Sequence, residues 1–565
     1  MVGILHHNIF TFENMKSSIL LSILFIASFV HAQQYYPPVD IPIQLSGTFA
    51  ELRGTHFHSG IDIRTKGEEG LALRAIEDGY VSRIKIQQGG YGKALYINHP
   101  NGVTSVYAHL QRYSPDIIPH VRKKQYKLKS YNIEFYLEPD QIPVKKGSLI
   151  GYSGNTGSSF GPHLHFEIRT TANQIPFNPL LVNNNITDTR KPSIVQLVGY
   201  PIDGVINRSE EQIQLAITKK NASLYVADSI NVIGTIGFGI EHFDRQNESF
   251  FKNGAFKIEA AINNIPRFEI QFDTLSFDDT SEMHKLIDYP LYIDTKKKVM
   301  QLFNTHDSPV SFANYTKNGL IHVEEGAHLT YTISLSDVAG NKVYLQVPIV
   351  GKSEEVWVTK KSPTPGKMIF PKRDYMFQLP NVNLYINAKT FSQPTPLNIE
   401  MDGDTLKISN DYAYFNKPYS LTMEKEKTPK GAYLALKRNK HWEFVANKNM
   451  NGQFSAKLKS AGAVTILADS IPPTIVDQKK ISNRWISLDK DIRFTIDDTG
   501  TGIGRYEGYL NNKWILFEYE QKKKELTFRF RDPVKLKKTK HKLKLIVWDK
   551  VGNSTTFETT FYRKE

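Results

Sequence analysis

The clearest structural signal in the chain is the alternation of polar and apolar residues between Gly161 and Arg169, G-P-H-L-H-F-E-I-R. Two histidines and a glutamate alternate there with leucine, phenylalanine and isoleucine, which is the two-residue period of a half-buried strand. Because alternate residues of a strand point to the same side, His163 and His165 are predicted to share a face, with Cα atoms roughly 6.6–6.8 Å apart. The segment therefore predicts a rigid strand that presents two imidazoles, either as a metal platform or as exposed histidines without a role.

A second stretch, G-T-H-F-H-S-G-I-D-I-R from Gly54 to Arg64, contains His58 and Asp62 four residues apart. That spacing would also suit one face of a helix. Gly60 and the β-branched residues on either side of Asp62 favour a turn that leads into a strand. We therefore expect a turn that carries His58 and a strand that carries Asp62.

A third stretch, K-A-L-Y-I-N-H-P-N-G-V-T-S-V-Y-A-H-L, alternates on both sides of Pro100, Asn101 and Gly102 and carries His109 near its end. These three turn residues predict a β-hairpin. All three stretches are thus interpreted as strands with a histidine or an aspartate at one end, which favours a site built where strands converge.

Two glycine-rich runs, Gly89–Gly92 and Ser153–Gly157, predict tight turns that border the same cleft. A phosphate-binding loop is the alternative, but no Gly-Lys-Ser/Thr sequence follows and no helical pattern begins there. We therefore interpret the glycines as turn residues.

With these motifs the chain resembles the lysostaphin-type (LytM-like) zinc endopeptidases, which cut peptidoglycan cross-bridges. The resemblance covers about Pro42 to Leu181. It includes H-x-x-x-D, D-G-Y-V from Asp78 to Val81, Y-A-H-L, the glycine-rich run from Lys145 to Gly157, and G-P-H-L-H-F-E. The H-x-x-x-D and H-x-H motifs are specific when they occur together in this order with the glycine-rich run between them.

The resemblance implies that His58, Asp62 and His165 bind zinc, and that His109 and His163 are catalytic residues that do not bind it. Two histidines and one aspartate leave the fourth tetrahedral position open for water, as a catalytic zinc requires. The other two histidines would take a proton from that water and stabilise the oxyanion, and the division of these roles stays open. Many family members have a tyrosine shortly before the first ligand. Here that stretch is F-A-E-L-R-G-T-H-F, which leaves a third stabilising group in doubt.

The segment Gln111 to Val144 is longer than the connection that many members of the family have at this place. It carries a cluster of basic residues and then an alternation of Ile133, Phe135 and Leu137. Because it leaves the strand that carries His109, we interpret it as a flap or wall that shapes substrate access. A solvated decoration and an extra strand of the domain's sheet are the alternatives.

An internal repeat follows the peptidase-like region. D-T-R-K-P-S-I at Asp188 to Ile194 is echoed by D-S-I-P-P-T-I at Asp469 to Ile475, and S-D-V-A-G-N at Ser336 to Asn341 is echoed by W-D-K-V-G-N at Trp548 to Asn553. In each unit the first motif is interpreted as a proline-stiffened entry and the second as a hairpin turn before the last strand. These units resemble bacterial immunoglobulin-like sandwiches, less closely than the first region resembles the peptidases.

The length of 565 residues indicates three or four domains. The predicted fold class is mostly β, with an N-terminal lysostaphin/LytM-type β peptidase domain followed by two or three β-sandwich domains. The predicted division is a signal peptide over 1–32, the peptidase domain over 33–185 with its insertion 111–144, an immunoglobulin-like domain over 186–351, a β-rich domain over 352–468, and an immunoglobulin-like domain over 469–565. In the β-rich domain Asp402 and Asp404 could suggest calcium, but D-G-D-T fits a hairpin turn better.

The N-terminal residues predict export. Lys16 precedes the apolar run Ile19 to Phe29, and Val30-His31-Ala32 fits a cleavage site of small residues, so we interpret Met15 as the true start. The apolar run is short for a stable membrane anchor. The expected product is therefore periplasmic or associated with the cell envelope, and not an integral membrane protein.

The composition and the net charge limit the classes of molecule that the chain is expected to bind. The chain has no cysteine, which excludes a disulfide or a thiolate-bound zinc, and its net charge is +14. Such a charge suits nucleic acid, a membrane surface or an anionic wall polymer, and the signal peptide argues against nucleic acid. Lys522 to Lys544 is the densest basic stretch and alternates with apolar residues as a strand does, either as a wall-binding face or as a plain solvated one.

The predicted function is that of an exported peptidoglycan hydrolase, a zinc-dependent endopeptidase that cleaves peptide cross-links of the cell wall. One alternative is a catalytically inactive LytM-like protein that regulates another wall hydrolase, and a second is a wall-binding or assembly protein. The presence of all five site residues favours the enzyme. The bond that is cleaved and the need for an activating envelope protein stay open.

Overall fold

A computed structural model describes residues 35–54, 56–182, 186–247, 249–361, 365–410, 412–449, 451–530, 534, 536 and 538–564. The predicted signal peptide and the start at Met15 lie outside the described residues. The described part of the chain is mostly β, as predicted, with an N-terminal peptidase-like unit followed by several units built from β-sheets. No helix among the described residues is long and apolar enough to cross a membrane. We call residues 35–182 the first unit, 186–361 the second, 365–468 the third and 469–564 the fourth.

The first unit contains short strands and one long helix. Its strands are β1 Leu45–Gly47, β2 Ile61–Arg64, β3 Ala72–Arg74, β4 Gly79–Ile86, β5 Lys93–Asn98, β6 Val103–Ala108, β7 Arg112–Tyr113, β8 Ile133–Tyr136, β9 Pro143–Val144, β10 Leu149–Tyr152, β11 His163–Thr170 and β12 Pro176–Phe177. Its helix α1 spans Ile118–Leu128, and a 3₁₀ turn spans Pro179–Leu181. The main sheet has the order β1-β2-β11-β6-β5-β4-β8, with β12 on β11 and β9 on β4, and a second sheet has the order β3-β10-β7.

The central position of β11 explains its alternating sequence. Its apolar residues Leu164, Phe166 and Ile168 are at most 1% exposed and belong to the core. The polar face is buried too, with His165 at 4% and Glu167 at 0% exposure. The prediction of a strand with two different faces is therefore confirmed, but the polar face lines a buried site and is not half solvated.

The predicted convergence of strands is confirmed by the register. β11 runs antiparallel to β2 on one side, where His165 faces Asp62, and to β6 on the other, where His165 faces Ala108. The predicted hairpin forms between β5 and β6, with Asn98 opposite Thr104. His109 directly follows β6, so the pairing brings it to the same end of the sheet as His165.

The segment 111–144 is part of the first unit's core, and its interpretation as a surface flap is wrong. β8 pairs antiparallel with β4, with Ile133 opposite Ile86. Ile117, Val121 and Ile133 are 2%, 1% and 4% exposed and join the same core cluster. The physical reason is the apolar alternation from Ile133 onward, which extends the sheet edge while α1 covers one end of it.

Shortening a buried side chain of β8 should therefore destabilise the protein. Ile133→Ala is expected to lower the free energy of unfolding by about 2–5 kcal/mol, because it leaves a cavity in the core. The exposed His120 of α1 offers a control, and His120→Ala should change stability by less than about 0.5 kcal/mol. Calorimetric unfolding of both variants measures the difference. Equal stabilities would restore the interpretation of the segment as a surface decoration.

The second unit is built on long strands. They are β13 Ser193–Ile206, β14 Ile213–Leu215, β15 Ile217–Lys219, β16 Leu224–Ala227, β17 Ile230–Phe243, β18 Lys257–Ile262, β19 Ile265–Gln271, β20 Met300–Gln301, β21 Ala313–Tyr315, β22 Ile321–Val323, β23 His328–Ser336 and β24 Lys342–Gly351. Its helices are α2 Phe277–Thr280 and α3 Tyr289–Thr295, with 3₁₀ turns at Ser281–Lys285 and Thr316–Gly319. The strands form one sheet with the main order β14-β13-β17-β24-β23-β18-β19-β21.

The first two units are packed against each other, and the second supports the segment that carries His58. Buried residues from Tyr35 to Ile349 form one continuous cluster. Phe57 donates its backbone N–H to the carbonyl of Thr280 at 3.0 Å. Its ring meets that of Phe312 edge to face, with centroids 5.2 Å apart. The turn before β2 is thus held from outside its own unit.

The third unit has its own core and two sheets. Its strands are β25 Lys367–Ile369, β26 Tyr375–Leu379, β27 Val382–Ile386, β28 Thr395–Asp402, β29 Thr405–Ser409, β30 Tyr419–Met423, β31 Ala432–Arg438, β32 His441–Asn447, β33 Phe454–Leu458 and β34 Gly462–Ala468. The predicted hairpin at D-G-D-T is confirmed, since Asp402 pairs with Thr405 across the turn. Asp402 and Asp404 form ion pairs with Lys407 and Lys425.

The fourth unit also has a separate core and two sheets. Its strands are β35 Thr474–Asp477, β36 Asp491–Asp497, β37 Ile503–Leu510, β38 Lys513–Ile515, β39 Glu518–Glu520, β40 Glu525–Arg529, β41 Lys540–Asp549 and β42 Ser554–Tyr562, with a 3₁₀ turn at Gln521–Lys523. The predicted D-x-x-G-N turns are confirmed between β23 and β24 and between β41 and β42. In β41, exposed lysines alternate with buried residues, while part of the basic stretch before it lies outside the described residues. The immunoglobulin-like interpretation of these units stays a prediction.

The fourth unit contacts the first unit close to α1. Glu518 forms ion pairs with Arg122 of α1 at 2.5 Å and with Lys93 at 3.3 Å. The rings of Tyr126 and Trp514 meet edge to face at 5.4 Å. The fourth unit therefore packs against the first unit, and α1 forms part of that contact.

Candidate active site

Three side chains of the first unit place one ligand-type atom each at a common point. Nε2 of His58, Oδ1 of Asp62 and Nδ1 of His165 form a triangle with sides of 3.0 to 3.1 Å. All three residues are buried, at 4% to 7% exposure. The strand pairing of β2 with β11 sets the distance between Asp62 and His165, and the turn before β2 brings His58 to them.

The partners of the outer ring nitrogens fix the tautomers of the two histidines. Nδ1 of His58 lies 2.8 Å from the backbone carbonyl of Thr48, and a carbonyl oxygen only accepts, so this nitrogen carries the proton. Nε2 of His165 donates in the same way to Oε1 of Glu167 at 2.7 Å. Two imidazole lone pairs and a carboxylate oxygen therefore converge, which is unfavourable unless a cation or a proton lies between them.

The donor set fits zinc. Tetrahedral zinc with bonds of about 2.0–2.1 Å separates its ligand atoms by roughly 3.3 Å, close to the triangle of His58, Asp62 and His165. Neutral imidazole and carboxylate are ligands that zinc prefers. Each histidine also makes the outer hydrogen bond that is usual for a zinc ligand.

A buried carboxylate, that of Glu167, supports His165. Glu167 is fully buried and accepts hydrogen bonds from His165, from Nε of Arg169 at 2.6 Å and from Oγ of Ser59 at 2.9 Å, and the hydroxyl of Tyr91 also donates to it. Burial would raise the pKa of Glu167, but Arg169 and His165 hold it below its usual range. Burial likewise opposes protonation of His165, yet Asp62 and Glu167 raise its pKa to about 9. The carboxylates of Asp62 and Glu167 thus favour a positive charge on or next to His165.

The second carboxylate oxygen of Asp62, Oδ2, also has a hydrogen-bond donor. Its Oδ2 accepts a hydrogen bond from Nη2 of Arg53 at 2.8 Å. A Cβ added at Gly47 would lie 2.2 Å from that guanidinium nitrogen and 2.8 Å from Oδ2, so glycine leaves the room for this ion pair. Burial opposes its ionisation, but His58 and the other histidines hold the pKa of Asp62 well below its usual value.

His109 and His163 lie beside the triangle, and their rings are 4.8 Å apart between centroids. Nδ1 of His109 donates to the carbonyl of Thr156 at 2.7 Å, and Nδ1 of His163 donates to that of Gly161 at 2.9 Å. Each therefore has its Nε2 free of the backbone, and Nε2 of His163 lies 3.4 Å from Oδ1 of Asp62. Burial, together with the neighbouring histidines, lowers the pKa of His109 to about 3.

The glycine-rich runs border this site, as predicted. The carbonyl that holds His109 belongs to Thr156, in the run that ends at Gly157. Gly92 has φ +62°, and a Cβ there would lie 2.4 Å from the carbonyl carbon of Thr156. Glycine is therefore required where the two runs touch, and this contact keeps the acceptor for His109 in place.

The structure brings all five predicted site residues together, and it adds residues for which the sequence predicted no role. Glu167 lies in the alternation of β11, on the face of His165, and this position was its only signal in the sequence. Arg53, Tyr91 and Thr48 act through contacts that cross the sheet or the turn, and nothing in their local sequence predicts them.

Comparison with known proteins agrees with this site. The model of peptidase family M23 matches residues 56–126 and 126–179. The DD-carboxypeptidase/endopeptidase Mpg of Neisseria meningitidis serogroup B is 37% identical over 131 residues, which are 23% of this chain and 24% of that protein. The chain thus spans about a quarter of the length of this curated relative.

Two solved structures are also similar. A zinc-containing peptidase from Vibrio cholerae is 25% identical, over 25% of this chain and 37% of that one, with a TM-score of 0.19. The catalytic domain of lysostaphin from Staphylococcus simulans is 24% identical, over 22% of this chain and 78% of that one, with a TM-score of 0.17.

The β-sheet fold and the His-Asp-His ligand set define the first unit as a metallopeptidase-type domain. With the family match over residues 56–179, it is a peptidase family M23 domain of the lysostaphin/LytM type, followed by several β-sheet units.

Proposed function

We propose that the chain is an exported peptidoglycan hydrolase, a zinc-dependent endopeptidase that cleaves peptide cross-links of the cell wall. The observation that carries the proposal is the convergence of Nε2 of His58, Oδ1 of Asp62 and Nδ1 of His165 within 3.0 to 3.1 Å. His109 and His163 lie beside them with fixed tautomers. The proposal includes a periplasmic or envelope location and the domain division 33–185, 186–351, 352–468 and 469–565.

In this proposal His58, Asp62 and His165 hold the zinc, and His109 and His163 act on the substrate. Bound zinc would polarise the peptide carbonyl and make the attacking water more acidic. The lone pair of His109 can take the proton of that water, because Nδ1 is already committed to Thr156. Nε2 of His163 faces the same space and, when the ring carries a second proton, can donate to the developing oxyanion. The structure permits the reverse division too, since both rings present Nε2.

The name of the Neisseria relative favours a direct cross-link between D-amino acids over a glycine bridge. The test is the zinc content of the purified protein together with digestion of purified sacculi of both cross-link types. We expect about one zinc per chain and release of fragments from directly cross-linked sacculi. Stoichiometric zinc without digestion would favour the catalytically inactive regulator, and absence of zinc would overturn the proposal.

Glu167 should tune the zinc site without binding the metal. Glu167→Gln keeps a hydrogen-bond acceptor for His165 but removes the charge, so zinc affinity is expected to fall about 10–100-fold. Glu134 is a carboxylate of the same unit that is paired with Arg83 far from the site, and Glu134→Gln should leave the affinity unchanged. Competition with a zinc chelator measures both. If the two variants bind zinc equally, Glu167 supports only the fold.

A further inference from the structure

A second cluster of acidic side chains lies where the second unit meets the M23 domain. Oxygen atoms of Asp188, Asp244 and Asp337 lie within 4.8 Å of one another. The three residues line a cavity of about 250 Å³, whose opposite wall includes Thr48 and Asn178 of the M23 domain. This cavity is therefore shared by two units, and it is separate from the histidine site.

The three carboxylates come from three places in the second unit's sheet. Asp188 stands five residues before β13, Asp244 directly follows β17, and Asp337 directly follows β23. β13 pairs with β17 from Ser193, opposite Phe243, to Ile206, opposite Val232. This pairing brings the start of β13 next to the end of β17, and the amide of Asn341, in the turn after β23, donates to the backbone carbonyl of Asp188 at 3.1 Å.

One oxygen of the cluster has no partner. Asp244 is 5% exposed, and its Oδ1 is buried without a hydrogen bond among the described residues. Both oxygens of Asp337 accept from Asn341, and Oδ1 of Asp188 accepts from the backbone of Arg190. A buried carboxylate oxygen with no hydrogen-bond donor is costly.

The positive charge of Arg190 offsets the repulsion among these carboxylates only in part. The guanidinium of Arg190 donates to the backbone carbonyls of Gln246 and Ser249, at 3.4 and 3.3 Å. Burial and then repulsion by Asp337 and Asp188 raise the pKa of Asp244 to about 7. Burial raises the pKa of Asp188 and of Asp337 as well. Three carboxylates that repel one another in this way are stabilised by a cation.

We propose that Asp188, Asp244 and Asp337 bind one hard divalent cation, calcium, at the junction between the second unit and the M23 domain. Calcium takes six to eight oxygen ligands in flexible geometry, and carboxylates are its usual protein ligands. The cavity has room for several waters of about 30 Å³ each to complete the coordination. Bound calcium would remove the repulsion between the carboxylates and so fasten the junction.

The junction also supports the histidine site. Oγ1 of Thr48 accepts from the backbone of Gly254, at the cavity wall, and the carbonyl of Thr48 holds His58. The cation would therefore stabilise the segment that orients His58, without touching the residues that hold zinc. This inference does not depend on the proposed function.

The fourth unit repeats this arrangement of three carboxylates. Asp469 stands five residues before β35, Asp498 directly follows β36 and Asp549 is the last residue of β41, and their oxygens also lie within 4.8 Å of one another. Oδ2 of Asp469, however, accepts from the backbone and hydroxyl of Thr501, and Oδ1 of Asp549 accepts from three backbone N–H groups. Oδ1 of Asp498 is buried without a hydrogen bond among the described residues, as Oδ1 of Asp244 is, but its Oδ2 accepts from the backbone of Gly500 and of Gly502. Because backbone donors already satisfy most oxygens of this cluster, the proposal is confined to the second unit.

The test uses the full-length, zinc-loaded protein after removal of calcium with EGTA and dialysis. Calorimetric titration with calcium chloride is expected to show one calcium per chain. At about 100 times the dissociation constant, the melting temperature should rise by several degrees. Asp244→Asn should weaken calcium binding at least tenfold and abolish the rise. The exposed Asp402, paired with Lys407, provides the control Asp402→Asn, which should behave as the wild type.

Stability without calcium gives a second readout. Because Asp244→Asn removes repulsion, this variant should be at least as stable as the wild type in EGTA. If it does not fold, Asp188→Asn, which is only partly buried, replaces it in the titration. The proposal is overturned if the wild type binds no calcium or if the variant binds it as tightly. An equal rise with magnesium chloride would overturn the choice of calcium.

Discussion

Alanine at any of the three proposed zinc ligands is expected to leave the purified protein without zinc and without activity. His58, Asp62 and His165 each supply one atom of the triangle, so loss of one leaves two protein ligands. The loss of zinc affinity should exceed the roughly 10–100-fold loss expected when an outer hydrogen-bond partner is removed. Metal analysis and sacculus digestion of His58→Ala, Asp62→Ala and His165→Ala measure the two effects together.

A buried histidine outside the triangle provides the matched control. His99 is 5% exposed and is held by the carbonyl of Asp78 and the hydroxyl of Ser105. His99→Ala removes a similar volume and similar hydrogen bonds, but its folded fraction should keep one zinc per chain. A ligand variant that retained stoichiometric zinc would remove that residue from the ligand set, and loss of zinc in His99→Ala would show that destabilisation alone explains the result.

Local patterning was enough to predict that the strands of the site converge, because they are short and regular, whereas the roles of the site residues came from the family resemblance. The alternation of β11 predicted the shared face of His163 and His165, and Gly60 distinguished a turn and strand from a helix around Asp62. Pairing of these strands with β6 then follows from the position of the hairpin. The sequence could also predict hairpin turns at Asp402 and at the repeated D-x-x-G-N motifs, since such turns depend on a few adjacent residues.

What the sequence did not predict depends on contacts between distant residues. The insertion was interpreted as a flap because it leaves the strand that carries His109, whereas the burial of Ile133 depends on its pairing with the edge of β4. Arg122, a basic residue of the insertion, is paired with Glu518 nearly four hundred residues away. In the same way, the repeat motifs contained Asp188 and Asp337, but Asp244 joins them only through the pairing of β13 and β17.

The two remaining histidines should separate catalysis from metal binding. His163→Ala and His109→Asn are expected to keep about one zinc per chain and the fold, but to lose roughly 10²–10⁴ in rate, the usual contribution of a positioned acid or base. Asparagine is chosen at position 109 because His109 has φ +60°, a conformation that asparagine adopts more readily than alanine. Neither change removes an atom of the triangle, since both rings lie beside it.

The comparison of zinc content with rate decides between the possible outcomes. His120→Ala, on the exposed face of α1, should match the wild type in both measurements. If either His109→Asn or His163→Ala loses its zinc, that histidine is a ligand and the division proposed here is wrong.

If both keep zinc and full activity, the proton transfers use other groups, and the hydroxyl of Tyr91 is not an obvious substitute. It already donates to Glu167, and burial and that carboxylate raise its pKa well above its usual value. A loss of rate with zinc retained is therefore the result that identifies His109 and His163 as the groups acting on the substrate.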